Sequence, residues 1–206
     1  MIQMSGNKTT QGSKSYIGLR DLVYAKLLED VKGSLPVYGP VKSLAPAKTA
    51  SINPNSSSST EYADDGILDV FDSNGAYTVS FTTAGIDDEV LADLLGAKYE
   101  DGGTEYHKDR RSPFVAVGYK SKKADGTFAY MWLLKGKFNN INREHNTQED
   151  SITPQGNTLE GTFIDRDSDG LFKHVLNTAK APEETIENYF KNVYGAATES
   201  DEDTTP

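Results

Sequence analysis

Within two segments of the chain, 76–85 and 157–164, apolar and polar residues alternate, from Tyr77 to Thr82 and from Thr158 to Phe163. Successive side chains of a β-strand point to opposite faces, so this period predicts two strands with one apolar and one polar face each. The apolar set, with Gly161 in phase, is Tyr77, Val79, Phe81, Leu159 and Phe163. The polar set is Thr78, Ser80, Thr82, Thr158, Glu160 and Thr162. We expect the apolar set to lie in a core and the polar set to face water.

Asp-Gly pairs indicate where strands turn, because both residues tolerate a positive φ. Segments 112–123 and 127–138 have strand-like composition and are separated by the Ala-Asp-Gly sequence at 124–126. This arrangement predicts a long hairpin. By the same reasoning, segment 157–176 is predicted to be a second hairpin, with its turn at the Asp-Gly pair 169–170.

One helix is strongly indicated at 87–96. Asp87 is placed to cap its start, Asp88 and Glu89 fall in the first turn, where the helix dipole favours acids, and Gly96 ends it. One helix beside a set of hairpins predicts a mainly β fold of α+β flavour, a sandwich with one flanking helix.

Two other segments are less decisive. Segment 182–195 begins with a proline and two glutamates, carries apolar residues on one side and ends in glycine, which favours a second helix. Segment 18–31 has near-helical spacing of apolar residues but also fits a strand, and its periodicity does not decide between them.

These elements predict one main domain, 16–176, between a flexible N-terminal arm, 1–15, and a C-terminal extension, 177–206. The extension carries the second helix and an acidic tail that is poor in apolar residues and therefore expected to be disordered. Inside the domain, the segment 33–66 is rich in Pro, Ser and Gly, and it is too long for an ordinary connection in a compact domain. It is predicted to be a long loop.

Composition and charge exclude several classes of function. With 36% hydrophobic residues the chain can build a core, but 31 acids against 21 bases give a net charge of −10, which disfavours tight binding to a phosphate backbone. The chain contains no cysteine, so disulfides, thiolate zinc sites and cysteine nucleophiles are excluded. No apolar run reaches the length of a signal peptide or a membrane span, so we expect neither export nor a membrane anchor.

The sequence DRDSDG at 165–170 is the strongest candidate for a metal site. Asp165, Asp167, Asp169 and the following glycine match the opening of a calcium-binding loop. The twelfth position of such a loop requires an acid, but here it is Leu176, and the flanking segments are predicted strands. A polar turn is therefore the favoured interpretation, with the three aspartates kept as weak metal candidates.

No catalytic site emerges. His107, His145 and His174 lie far apart in sequence, without metal-ligand spacing. Glu144, His145 and Ser151 could form a trio, but no nucleophile-elbow glycines surround a serine. Phosphate-binding and dinucleotide-binding glycine motifs are also missing from the sequence. We predict no enzymatic activity and no cofactor.

The order of these segments resembles that of the major tail proteins of long-tailed, non-contractile bacteriophages, the subunits of the tail tube. The resemblance runs from about Ser15 to about His174 and leaves both ends of the chain outside it. The collinear pieces that carry it are YIGLRDLVYAKL, NPNSSSSTEYADDG, AYTVSFTTAGIDDEVLADLLGAKY, FVAVGYKSKKADGTFAYMWLLKGKF and LEGTFIDRDSDGLFKH.

The resemblance implies a structural protein of the virion, made in the host cytoplasm. It implies hexameric rings stacked into a hollow tube, with four strands of each subunit in a continuous inner barrel and segment 18–31 as a strand. The implied partners are the chain itself, a tape measure protein inside the tube, and tail terminator and distal tail proteins at its ends. Viral DNA would pass the lumen without sequence-specific binding, and the six polar residues of the two alternating strands would face it.

The resemblance also implies that the long loop 33–66 reaches a neighbouring subunit or ring. Its end holds a tyrosine among acids, Glu61, Tyr62, Asp64 and Asp65, a composition that suits an interface with one buried ring and several polar pairs. The alternative is a flexible surface loop whose tyrosine packs on its own domain.

Two other functions remain open on the sequence alone. The first is an immunoglobulin-like binding module, with calcium as a candidate ligand, and the second is an enzyme whose site is not recognised. A tube subunit should form rings or filaments, a binding module should stay monomeric, and an enzyme should have a concave pocket with convergent polar groups.

Overall fold

The computed structural model describes residues 15–63, 66–139 and 156–197. Strands dominate these residues. The strands are β1 (Tyr16–Glu29), β2 (Val37–Tyr38), β3 (Lys42–Ser43), β4 (Ala47–Ala63), β5 (Gly66–Thr83), β6 (Lys98–Glu100), β7 (Gly103–Glu105), β8 (Val115–Lys123), β9 (Phe128–Phe138), β10 (Asn157–Ile164) and β11 (Lys173–Asn177). The helices are α1 (Asp88–Leu95) and α2 (Glu183–Asn188). Neither of these two helices of the described ranges has the length or the apolar character to cross a membrane.

Nine strands form one antiparallel sheet in the order β2-β1-β8-β9-β10-β5-β4, with β11 beside β9 and β3 beside β1. The sheet folds back on itself. Phe81 of β5 meets Tyr119 of β8 edge to face at 6.0 Å, although β9 and β10 separate these two strands along the sheet. The predicted mainly β sandwich is confirmed, and the sheet of the described residues does not close into a barrel by itself.

The main core lies between the two halves of the folded sheet. One half contributes buried side chains from β1, β8 and β9, the other half from β5 and β10, and α1 closes one end. Its fully covered members include Val79, Phe81, Leu94, Leu133, Leu159 and Phe163. The apolar set that alternation predicted on the two strands therefore faces this core, with Tyr77 partly buried against it and stacked on Phe172 at 3.6 Å.

A second, smaller core covers the opposite face of β1, β8 and β9. Trp132 and Leu134 of β9 pack there against Tyr189 and Val193, which follow α2. Leu133, between them, faces the main core. Both faces of β9 are therefore buried, and a strand that is buried on both faces does not alternate between apolar and polar residues. This explains the continuous apolar run at 129–134. The C-terminal segment is thus packed onto the sheet.

Helix α1 confirms the predicted helix, with Asp88 and Glu89 in its first turn. Gly96 ends it in the left-handed conformation, at φ 67°. Asp87 occupies the cap position, but its side chain makes no capping hydrogen bond, so that detail of the prediction is wrong. Instead, Asp93 anchors the helix to the sheet, since Lys26 and Lys42 lie 2.8 and 3.0 Å from its carboxylate.

The long hairpin of β8 and β9 is confirmed, with residues 124–126 in its turn. The ambiguous segment 18–31 lies mostly in β1, which pairs with β8 from Tyr16 to Lys26. Pairing with a neighbouring strand decides between helix and strand here, and periodicity within one segment contains no information about that neighbour.

The predicted long loop 33–66 is corrected by the structure. Only its first part is a connection with the short strands β2 and β3, and residues 47–63 form β4, which pairs with β5 along its whole length. β5 itself begins at Gly66, earlier than predicted. A serine-rich segment has a weak preference of its own, so the partner strand determines its conformation.

The predicted hairpin 157–176 is also wrong. β10 and β11 do not pair with each other; they lie one after the other along the same edge of β9, at Lys135–Phe138 and Ala129–Leu133 respectively. The turn at the Asp-Gly pair does form, with Gly170 at φ 68°. A turn signal predicts a change of direction, but it does not state which strands become neighbours.

The second helix is shorter than predicted, since α2 ends at Asn188 and turns follow to residue 195. The carbonyl of Tyr189 accepts a hydrogen bond from the indole N–H of Trp132 at 3.1 Å. In a longer helix, that carbonyl would accept a hydrogen bond from a backbone N–H further along the chain, but here it binds the sheet. Tertiary packing thus overrides the helical pattern.

Candidate functional site: a polar sheet face and a long hairpin

The structure brings the six predicted polar residues together on one face. Across β5 and β10, Thr82 lies opposite Thr158, Ser80 opposite Glu160, and Thr78 opposite Thr162. Glu160, Thr162 and Thr78 are exposed and the other three are half-buried. The predicted strand faces are therefore correct, and the role of these residues as a channel lining stays a prediction.

The same face continues onto both neighbouring strands. On β4, Thr49, Ser51 and Asn53 pair with residues of the polar set on β5 and are exposed. On the other side, Lys137 of β9 lies opposite Thr162. We call this surface the polar face: Thr49, Ser51, Asn53, Thr78, Ser80, Thr82, Lys137, Thr158, Glu160 and Thr162. It spans four strands and is mostly uncharged.

Tight packing underneath fixes which residues the polar face presents. Val79, Phe81, Leu159 and Phe163 are 0% exposed on the opposite side of the same strands. A Cβ added at Gly161 would lie 2.8 Å from the Lys137 carbonyl oxygen, so backbone and core leave no free space there. A register slip of one residue would exchange the two faces and place the apolar set in water.

The outer edge of β4 is the end of the sheet path in the described residues. This edge offers free backbone N–H and C=O groups to another strand, because an edge strand is paired on one side alone. The polar face therefore ends at a position where a sheet can be extended by a second molecule.

The distal part of the hairpin of β4 and β5 runs from the pair Ser56–Asn74 to the pair Ala63–Gly66. We call it the distal hairpin. Of the predicted interface residues, Glu61 lies on it with an exposed side chain, and Tyr62 lies in β4 with its backbone opposite Ile67. Asp64 and Asp65 lie outside the described residues. The structure thus places the predicted interface segment on a paired strand.

Two of the three aspartates of the DRDSDG turn are paired with buried cations. Asp167 lies 2.7 Å from the Lys135 ammonium, and Asp169 lies 2.5 Å from the guanidinium of Arg166. Asp165 is exposed. In the ranges that the structure describes, no group of three acidic or histidine side chains is arranged to hold a metal ion. Asp167 and Asp169 therefore act as partners of Lys135 and Arg166.

Lys135 also binds Asp30, and sequence reasoning missed this pair. Their side chains are 6% and 5% exposed and their charged atoms lie 2.7 Å apart. Burial raises the pKa of Asp30, but hydrogen bonds from Lys135 and from the N–H groups of Asp167 and Ser168 outweigh it and lower the pKa to about 2. The sequence signal that could have indicated a buried lysine is the position of Lys135, directly after the apolar run 129–134.

Arg166 joins the same turn to the C-terminal segment. It is 2% exposed, binds Asp169 through two nitrogens and donates to the Tyr194 carbonyl at 2.9 Å. His174 stacks on Tyr194 with ring centroids 3.5 Å apart, and burial lowers the pKa of His174. These contacts anchor the chain end; they do not form a catalytic arrangement. Of the other two histidines, His107 pairs with Glu105, and His145 lies outside the described residues.

In a comparison with models of protein families, residues 42–202 match the family described as phage tail tube protein. The match covers β4, the polar face, the DRDSDG turn and the C-terminal segment. It therefore includes residues after His174 that the sequence resemblance had left out. No curated protein matches the chain significantly.

Proposed function

Because the chain belongs to the phage tail tube protein family, a family of structural virion proteins, we propose that it assembles into stacked hexameric rings whose common bore delivers viral DNA into the host. The observation that carries this proposal is the polar face, which spans four strands and ends at the open edge of β4. Repetition of such a face around a ring produces a hydrophilic bore, and strand addition at the edge removes the exposed backbone groups.

The chemistry of the polar face suits a surface along which DNA slides. Affinity for a phosphate backbone comes mainly from neutralisation by Lys and Arg. The polar face carries seven hydroxyls, one amide, one acid, Glu160, and one base, Lys137, so it offers no basic patch to hold phosphates. The net charge of −10 acts in the same direction.

The remaining partners follow from the same proposal. A tape measure protein would occupy the bore during assembly, and terminator and distal tail proteins would bind the two ends of the tube. The subunit would be made in the host cytoplasm and act by self-assembly, without catalysis.

Electron microscopy of the purified protein tests the assembly directly. We expect stacked rings or tubes with six-fold symmetry in negative stain as concentration rises, because the same contacts repeat from subunit to subunit. A protein that remains monomeric at all concentrations contradicts a tube, and rings of another symmetry contradict the hexamer.

The variant Glu160→Lys tests the bore. We expect normal tubes, since Glu160 is exposed, together with slower, salt-dependent DNA release from particles, because each ring gains positive charge next to the phosphates. Glu187→Lys on α2 is the matched control, since it makes the same charge change at an exposed position off the polar face. If Glu160→Lys leaves DNA release unchanged, or if the control slows release equally, the proposal that the polar face lines the bore is contradicted.

A further inference from the structure

Two large apolar side chains are exposed on the distal hairpin. Ile67 and Leu68 of β5 are 65% and 63% exposed, and they lie where the register of β4 with β5 shifts, between the pairs Glu61–Asp69 and Tyr62–Ile67. Leu68 has no residue opposite it on β4, so the regular alternation of faces is interrupted here and the hairpin presents two neighbouring apolar side chains. Exposed apolar pairs on a projecting element are typical of a contact with another molecule.

An open apolar groove lies between the two halves of the sandwich. Tyr16, Ile17 and Leu19 of β1 form one wall, Ile52 of β4 another, and Met131 and Val175 of β9 and β11 the floor. Tyr16, Ile17 and Val175 are 56%, 61% and 44% exposed. At this end, the core is left uncovered by the residues that the structure describes.

The groove cannot be filled by the distal hairpin of the same subunit. Ile52 lines the groove and Tyr62 pairs with Ile67, and both belong to the single strand β4. At ~3.3 Å per residue, the strand from Ile52 to Tyr62 spans about 33 Å. The hairpin therefore carries its apolar residues away from its own groove and toward another molecule.

Charge makes the two surfaces complementary. The charged residues that line the groove in the described structure are both lysines, Lys48 and Lys173, and Lys122 and Lys123 lie opposite Gly18 and Tyr16 at its rim. The sequence 61–72 of the hairpin contains no base, and its acids are Glu61, Asp64, Asp65, Asp69 and Asp72. Opposite potentials steer such surfaces together and fix their orientation.

We propose that Ile67 and Leu68 of one subunit insert into the groove of Tyr16, Ile17, Ile52, Met131 and Val175 of another copy of this chain. The contact is head-to-tail, because it joins two different surfaces, and contacts of this kind repeat without ending at a dimer. This inference rests on the proposed self-assembly and names the receiving surface for the hairpin.

Engineered cysteines test the contact cleanly, because the chain has no cysteine of its own. A protein carrying both Leu68→Cys and Val175→Cys is assembled, oxidised and run on a non-reducing gel. We expect a ladder that continues beyond the dimer. The matched control replaces Val175→Cys by Leu28→Cys, an exposed apolar position (62%) at the other end of β1, and should give no ladder.

Thiol labelling separates the proposed occupant from the alternatives. Val175→Cys alone should react with a maleimide in the monomer and become protected in tubes. Protection already in the monomer would assign the groove to the chain's own residues 1–14 and overturn the proposal. Equal reactivity in monomers and tubes, or tubes that form without the ladder, would also overturn it while leaving the proposed assembly intact. Failure of the unmodified protein to form tubes would contradict the proposed function itself.

Discussion

Two buried cations determine the role of the acidic turn at 165–170. Lys135 and Arg166 are 5% and 2% exposed, and a buried cation without a partner carries a large desolvation cost. Asp30, Asp167 and Asp169 supply the negative charges. Two of the three aspartates that resemble a calcium loop in sequence, Asp167 and Asp169, are thus already engaged by side chains of the protein.

Calcium should therefore have no effect on stability. We expect the same melting temperature in calcium chloride and in EGTA, because the paired carboxylates of Asp167 and Asp169 leave no cage of six or more oxygens. A melting temperature that rises steadily with calcium concentration, as linkage requires of a bound ion, contradicts this.

Replacing Asp30 by Asn should weaken the protein mainly at neutral pH. The folded pKa of Asp30, about 2, lies below its ordinary value of 3.8, so the carboxylate contributes stability that is present above about pH 4 and lost as the pH falls toward 2. We expect a cost of about 1.5–3 kcal/mol at pH 7, typical of a lost hydrogen bond to a charged group.

Urea unfolding of the wild type and of Asp30→Asn at pH 7, 4 and 3 measures this cost, and the difference between them should shrink as the pH falls. Asp165→Asn is the control, since Asp165 is an exposed acid of the same turn. A difference that stays constant over this range contradicts the assigned ion pair.

At the scale of elements, β9 has the central place in the fold. It pairs with β8 on one side and with β10 and β11 on the other, and both of its faces are buried. The C-terminal segment acts as a third layer on one of these faces. The sequence predicted an extension outside the main domain, whereas in the structure this segment packs against Trp132 and Leu134 of β9.

Truncation after Ala181 should expose Trp132, the chain's single tryptophan. We expect its fluorescence to shift to the red and the free energy of unfolding to fall by several kcal/mol, because Tyr189 and Val193 are buried against it and each such side chain contributes about 1.5–3 kcal/mol. Truncation after Ala197 is the control and should leave the emission unchanged. An unshifted spectrum in the shorter protein contradicts the third layer.

At the scale of the whole molecule, the proposed function assigns assembly to a different part of the chain from the two cores that stabilise it. The two cores lie around β9, whereas neither core includes a residue of the distal hairpin whose side chain the structure describes. Segments that add little to their own core can be removed without loss of the fold. The hairpin is such a segment, and in the proposed function its length serves a contact between molecules.

Excision of residues 56–74 joins Asn55 directly to Gly75, and these two residues can form an Asn-Gly turn. The shortened chain should fold but form no tubes. We expect the near-native melting temperature because the pairs from Ala47 to Pro54 with β5 remain, and we expect loss of tube growth in electron microscopy. Ser58→Ala, an exposed change in the intact hairpin, is the control. Normal tubes from the excised protein contradict the role of the hairpin.

The sequence by itself determined those elements whose cause is local. Alternation gave the two faces of β5 and β10, the Asp-Gly pair gave the hairpin of β8 and β9, and an acidic first turn with a closing glycine gave α1. Each of these signals is a property of neighbouring residues, and the burial of Val79 and Leu159 agrees with them. The polar face could therefore be predicted residue by residue on these two strands.

Only the tertiary structure decided what depends on distant partners. β4 is a strand because β5 pairs with it, β10 and β11 share the edge of β9, and α2 stops where Trp132 binds the Tyr189 carbonyl. The buried pair of Lys135 and Asp30 likewise joins residues far apart in the chain. Pairing and burial are properties of two segments at once, and the pattern within one segment does not contain them.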